Sequence, residues 1–289
     1  MGHGAGGVEQ GAWRMEQGGV TLAQRVDPKK LKELSSLELP RERSFAFSGF
    51  QVTLWKRGML RRQKLSFPQH YGIYHEVQTR EHIFKYNLRG QICYIQGKSR
   101  DWPHPGEWLK RTQGGDWIYY YAGGYTDLRD YLGEFYLPCP DYPSNILYNV
   151  DPLQEPAVQK ALQEWKKVPD LLSPELDQGD DPELLQIYSL LRGNTAARLW
   201  QESLQLFGLL GDRIKVLPPD ARHTDYDLLP VILADGCLYN CSFCSFKTGK
   251  SFQSRPLEDI QAQIQSLRSF YAPDLINHHA LFLGQHDSL

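Results

Sequence analysis

Hydrophobic and polar positions change rhythm several times along the chain. Residues 1–25, opening with "MGHGAGGVEQGAWRMEQGG", show no periodicity and read as a disordered Gly-rich tail. From 26 to 150 short runs dominate. Phe45–Trp55 partly alternates in polarity, and Gln91–Gly97 and Asp116–Tyr125 are rich in β-formers and end in Gly signals. Leu137–Asn145 carries three prolines, which excludes a regular helix there. This pattern predicts an α+β accessory domain over 26–150 with an aromatic-rich core.

The rhythm then turns helical. In 155–168 the residues Ala157, Ala161, Leu162 and Trp165 recur on one side, with Pro156 at the start. Ser173–Glu183 is acidic and rich in Pro and Gly, as a linker would be. Two further helices are predicted over Glu183–Leu191 and Thr195–Leu210, with Gly193 between them and Gly211 at the end. Arg213–Pro219 has the composition of a short strand. Together 151–222 read as a helical connector.

The last stretch, 223–289, has another grammar. Asp227–Gly236 is a continuous apolar run, as in a strand buried on both faces. Arg255–Phe270 places Leu257, Ile260, Ile264, Leu267 and Phe270 at helical spacing, with Pro256, Glu258 and Asp259 suited to its start. His279–Gly284 is a second short apolar run. Strand, loop, helix, strand is a βαβ unit, which belongs in a parallel sheet with loops of function at the carboxyl ends of the strands.

Composition adds limits. A chain of 289 residues, 41% hydrophobic and 23% charged, fits an ordinary globular protein of about two domains. The net charge of −2 gives no field for nucleic acid, and the basic cluster Trp55–Lys64 reads as a solvated turn or strand edge. No segment is apolar for long enough to cross a bilayer, and the N-terminus lacks a signal-peptide pattern. Gly6 stands where a myristoylation signal has Ser or Thr. A cytoplasmic location is the expectation. "YYYAGGY" reads as strand core on one face and ordinary surface on the other, and its glycines do not form a dinucleotide fingerprint.

Cysteine usage changes the picture most. There are five, an odd number, and Cys237, Cys241 and Cys244 crowd into "CLYNCSFC" directly after the apolar run. Crowded thiols in a reducing compartment point to a metal or cluster rather than a disulfide scaffold. Thiolates are soft ligands that select iron–sulfur clusters, zinc or copper(I). Structural zinc wants a fourth ligand, for which Cys93, Cys139, His223 or His286 are candidates, none at paired spacing. Three ligands on a 4Fe–4S cubane leave one iron open to a small molecule. Cys93 reads as a buried small hydrophobe, Cys139 as a loop thiol between prolines, and His278-His279 as surface.

The motif C-x3-C-x2-C, with aromatic Phe243 before the last cysteine and a strand-to-helix setting, resembles that of the radical S-adenosylmethionine (radical SAM) enzymes. The resemblance covers about 227–289. It implies the first βαβ unit of a partial TIM-like barrel, so that the whole chain would combine α+β and α/β parts. It implies that Cys237, Cys241 and Cys244 hold a 4Fe–4S cluster whose open iron chelates S-adenosylmethionine. Reductive cleavage then yields a 5′-deoxyadenosyl radical, and an electron donor such as a flavodoxin or ferredoxin is the expected partner. Phe243 would lie against the adenine, and Gly284 and Gln285 would stand where the family carries a Gly-Gly-Glu-like turn. Gln285 departs from that turn in lacking a carboxylate. Lys247, Lys250 and Arg255 are candidates to neutralise the cluster or a carboxylate, or form a solvated basic edge. The stretch after Cys237 is shorter than a barrel core, so the sequence reads as a fragment with an open sheet edge and an unburied helix face. The alternative function is a non-catalytic iron–sulfur or zinc protein with a structural or electron-transfer site.

Overall fold

The structure is a computed structural model that describes residues 40–58, 72–102, 107–111, 113, 115, 117–121, 135–136, 152–176, 181–211, 228–236, 239, 242, 251–278 and 280–283. Eight strands succeed one another in chain order as an antiparallel meander: β1 (Arg43–Phe47), β2 (Phe50–Arg57), β3 (Ile73–Thr79), β4 (His82–Tyr86), β5 (Ile92–Gly97), β6 (Glu107–Arg111), β7 (Trp117–Tyr121) and β8 (Phe135–Tyr136). The run 45–55 is therefore two strands. Ser48 and Gly49 turn the chain between Phe47 and Phe50, which pair directly, and Gly49 takes a φ of +89° that suits glycine.

Strict alternation gives the sheet two different faces. One cross-strand row runs Val52, Val77, Phe84, Ile95, Leu109, and all five are buried. The neighbouring row runs Thr53, Glu76, Lys85, Tyr94, Lys110. It is polar, yet Thr53, Glu76, Lys85 and Lys110 are also buried.

Helices cover the apolar row. After a 3-10 turn η1 (Pro152–Gln154), α1 (Pro156–Leu176) crosses β5 and packs against α2 (Pro182–Gly193). Val158, Ala161, Trp165, Val168 and Leu172 form its buried stripe, three and four residues apart. The Trp165 ring meets Trp117 edge-on at 5.5 Å. The helix runs past the predicted end at 168 and through Pro169, taking up Ser173–Leu176 of the expected linker. Burial of Leu172 extends the stripe and offsets the backbone hydrogen bond that Pro169 cannot make. Asp181 caps α2 by accepting from the Glu183 and Leu184 amides, and Arg43 of β1 pairs with both Asp181 and Glu183.

Helix α3 (Ala196–Leu210) is capped by Thr195 and ends at Gly211, φ +96°. Its buried residues split between two cores. Leu199 joins the sheet cluster, whereas Leu206 and Leu210 join a second cluster with Val231, Ile232, Leu267 and Tyr271. The second cluster belongs to a βαβ unit. Strands β9 (Leu228–Val231) and β12 (Ala280–Leu283) are parallel, and α4 (Leu257–Tyr271) lies between them in sequence. The face that α4 buries is Gln263, Leu267 and Tyr271, while Leu257 and Ile264 of the predicted stripe are exposed, as are Leu281 and Leu283. Gln263 is inside because its carbonyl oxygen accepts from the Ile232 amide at 2.8 Å, satisfying a buried donor just beyond β9. The described residues from Arg41 on form one compact unit, so the helices read as a connector share their cores with the strands on both sides. Among the described residues no helix is long and apolar enough to cross a membrane.

Candidate functional site

Among the described residues three places gather chemistry: the base of the cysteine segment, a cavity on the polar face of the sheet, and a small group of titratable side chains at β4 and α1. Cys237, Cys241, Cys244, Phe243, Gly284 and Gln285 lie outside the described residues, as do Lys247, Lys250, Cys139, His223, His279 and His286. The framework that presents the cysteines is described. Parallel register sets Val231 beside Leu283, so the chain leaves both strands on the same side, about 4.8 Å apart. The cysteines come after the first of these ends and Gly284-Gln285 after the second.

The cysteine segment is closed at its base. It begins after β10 (Ala234–Asp235) and returns through β11 (Gln253–Ser254), and these pair antiparallel, Ala234 with Ser254 and Asp235 with Gln253. Arg255 fastens the neck. Its Nε and one terminal nitrogen donate to the two Asp235 carboxylate oxygens at 2.8 and 2.7 Å. The same terminal nitrogen donates to the Leu210 carbonyl at 2.9 Å, at the end of α3. The Arg255 amide also donates to the Leu233 carbonyl at 2.8 Å. Such a bidentate guanidinium–carboxylate pair fixes direction as well as distance. Read from sequence as a possible counter-charge to a cluster, Arg255 has a carboxylate partner already and serves as a clasp.

The cavity has a volume of about 130 Å³. That is room for several waters or a small molecule, since one water needs about 10–15 Å³ on this measure. Its floor is the polar row of the sheet, with Lys85, Tyr94 and Lys110 side by side. Its walls are α3, the last turn of α4, and the 3-10 turn η2 (Asp274–Asn277) with His278. The Lys85 ammonium lies 5.0 Å from the Tyr74 ring centroid. Burial pushes its pKa down to about 8, against the pull of Glu76. Arg111 donates to the Leu199 carbonyl at 2.9 Å and to Ser203 Oγ at 3.2 Å. Arg89 pairs with Glu202 at 2.7 Å and stacks on Phe270 at 4.4 Å.

Asp274 sits beneath the cavity, almost wholly buried. It accepts from the Leu88 amide at 3.2 Å and Asn277 Nδ2 at 2.7 Å, and burial pushes its carboxyl up to about 6. Asn277 in turn pairs with Ile73 as a strand neighbour would, accepting from its amide and donating to its carbonyl, both at 2.8 Å. His278, read as surface, is half-buried with its ring 4.6 Å from that of Tyr271. The return of η2 towards the sheet draws it inside. Burial, first of all, pushes the Cys93 thiol up to about 12; the residue, read as a buried small hydrophobe, is half-buried and lines the cavity.

A third group is Glu81, His82 and Glu164, whose ligand atoms lie within 4.8 Å of one another. His82 Nδ1 contacts Glu164 at 2.6 Å, and Lys160 pairs with Glu81. Lys160 neutralises the acidic side, and the group ties β4 to α1.

Comparison with known protein families, curated proteins and solved structures finds no match for this chain. The sequence reading named Cys93, Phe270 and His278 of this lining but not its lysines or Arg111. Lys85 and Lys110 stand in short strands, where a charged residue beside an apolar one ordinarily marks the wet face. The signal was present in part: "HIFKY" and "EWLKR" put lysine at the same alternation phase on two strands. Their burial depends on α3 and η2, more than 80 residues away in the chain.

Proposed function

We propose that the segment between β10 and β11 holds a 4Fe–4S cluster through Cys237, Cys241 and Cys244, and that the protein is a radical S-adenosylmethionine enzyme. The observation that carries the reading is a C-x3-C-x2-C triplet on a segment that comes after a strand paired in parallel with its βαβ partner. Three soft thiols fit an iron–sulfur cluster by ligand chemistry and leave one coordination position for a chelating ligand. The Asp235–Arg255 clasp supports the same reading. It holds both ends of the segment together, so less chain entropy is lost when three side chains converge on one inorganic core.

When bound, the cluster supplies the electron that cleaves S-adenosylmethionine. The chain's own residues do the rest. Phe243 would offer an apolar face for the adenine, and the Gln285 amide oxygen would accept a hydrogen bond from the amino group. A reduced flavodoxin or ferredoxin restores the electron.

The test is anaerobic reconstitution of the full chain with iron and sulfide, then dithionite and S-adenosylmethionine. The expected result is about four irons and four acid-labile sulfides per chain, with release of methionine and 5′-deoxyadenosine. Cys241→Ala should lose both. One zinc and no sulfide would overturn the reading altogether. A stable cluster that gives no 5′-deoxyadenosine would overturn the enzymatic half and leave a structural or electron-transfer centre.

A further inference from the structure

The cavity does not share the end of the βαβ unit at which the cysteine segment stands. The segment leaves beyond the carboxyl end of β9. The cavity touches η2 and His278, which immediately precede the amino-terminal end of β12. Two faces of one unit therefore carry two different chemistries.

Charge defines the second. Among the described lining residues four are cationic, Lys85, Arg89, Lys110 and Arg111, and two are carboxylates, Glu202 and Asp274. Both carboxylates are engaged. Glu202 accepts from Arg89 and Gln91 as well as from Arg198, and Asp274 from Leu88 and Asn277. Lys85 and Lys110 are only 8% and 4% exposed. They flank Tyr94 in one cross-strand row, which sets their backbones about 10 Å apart, two strand spacings. Glu76 faces Lys85 across the same row and is itself paired with Lys56, so this side of the sheet carries buried charge that costs more to place than an apolar row would. The same strands put Phe84 and Leu109 on their other face, so the sheet can be built with apolar residues. Aromatic rings of Tyr74, Phe270 and Tyr271 complete the walls.

We propose that this cavity is a binding site for a small organic anion, a carboxylate or phosphate carried on an apolar, aromatic-sized body. The anionic end would meet Lys85, Lys110 and Arg111 in charge-assisted hydrogen bonds, and the body would lie among the rings. The site is argued apart from the cluster reading, because none of its described residues belongs to the cysteine segment.

Isothermal titration of the full chain with benzoate, its neutral isostere benzamide, and inorganic phosphate tests this. Benzoate should bind saturably and at least about tenfold more tightly than benzamide. Lys110→Met should weaken benzoate by about tenfold or more and leave benzamide unchanged. A Cys237→Ala, Cys241→Ala, Cys244→Ala triple variant should bind benzoate as the parent does, whatever becomes of the cluster. Should Lys110→Met fail to fold, the parent still decides: benzoate should slow reductive methylation of Lys85 and Lys110 but not of exposed Lys160. Equal affinity for benzoate and benzamide, phosphate binding without benzoate binding, no saturable binding, or unprotected lysines would each overturn the proposal.

Discussion

Asp274 and His75 titrate in opposite senses. Burial raises Asp274 to about 6 from an ordinary 3.8 and lowers His75 to about 4 from 6.5. Both shifts favour the neutral form. Asp274 therefore contributes stability that is complete below pH 4 and lost as pH rises through 6. His75 contributes stability that is complete above pH 6.5 and lost as pH falls through 4. Between pH 4 and 6 the two offset each other. Asp274→Asn keeps the oxygen that accepts from Leu88 and Asn277 and removes the charge. It should raise stability by about 2–3 kcal/mol at pH 7.5, change little at pH 4, and leave a steeper acid limb due to His75. Urea midpoints at several pH values will show this; equal midpoints for parent and variant at pH 7.5 would contradict it. Little of this was legible in the chain. The residues beside Asp274 in the sequence do not mark it as a buried acid, and only its neighbours in space make it one.

At the level of elements, terminal signals were the most legible. Pro156, Thr195 and Gly211 each stand within a residue of an observed helix end, because caps act locally. Continuations were less legible. Pro169 looks like a stop, and only the stripe ending at Leu172 shows why α1 passes it. The pairing of Asn277 with Ile73 was invisible, since a side chain there imitates a strand from 204 residues away. Asn277→Ala leaves the amide and carbonyl of Ile73 without these partners. It should cost about 2–3 kcal/mol, seen as a lowered urea midpoint, and should speed exchange of the Ile73 amide. An unchanged exchange rate would show that the contact does not persist in solution.

On the scale of the whole molecule, α3 matters most, because it contributes to both cores. Leu206→Ala should destabilise by about 2–5 kcal/mol and still give one unfolding transition, with tryptophan fluorescence and far-ultraviolet circular dichroism coincident. Two separated transitions would mean that the sheet and the βαβ unit melt independently. The triplet of thiols and the βαβ order were legible from local pattern. The joint between that unit and the antiparallel sheet was not, since it rests on a helix shared by both cores and on contacts between distant residues, such as Asn277 with Ile73 and Asp274 with Leu88.

The narrow neck below the cysteines also has a practical meaning. Asp235 and Gln253 stand opposite each other as the closing pair of an antiparallel ladder, with Arg255 already bracing them. An Asn-Gly dipeptide can bridge such a pair, so Gly236–Phe252 should be replaceable by those two residues. The excised protein should keep its thermal midpoint within a few degrees, which scanning calorimetry can check. It would then be a blank chassis on which the loop, or a redesigned one, can be grafted and its chemistry assayed apart from the body that carries it.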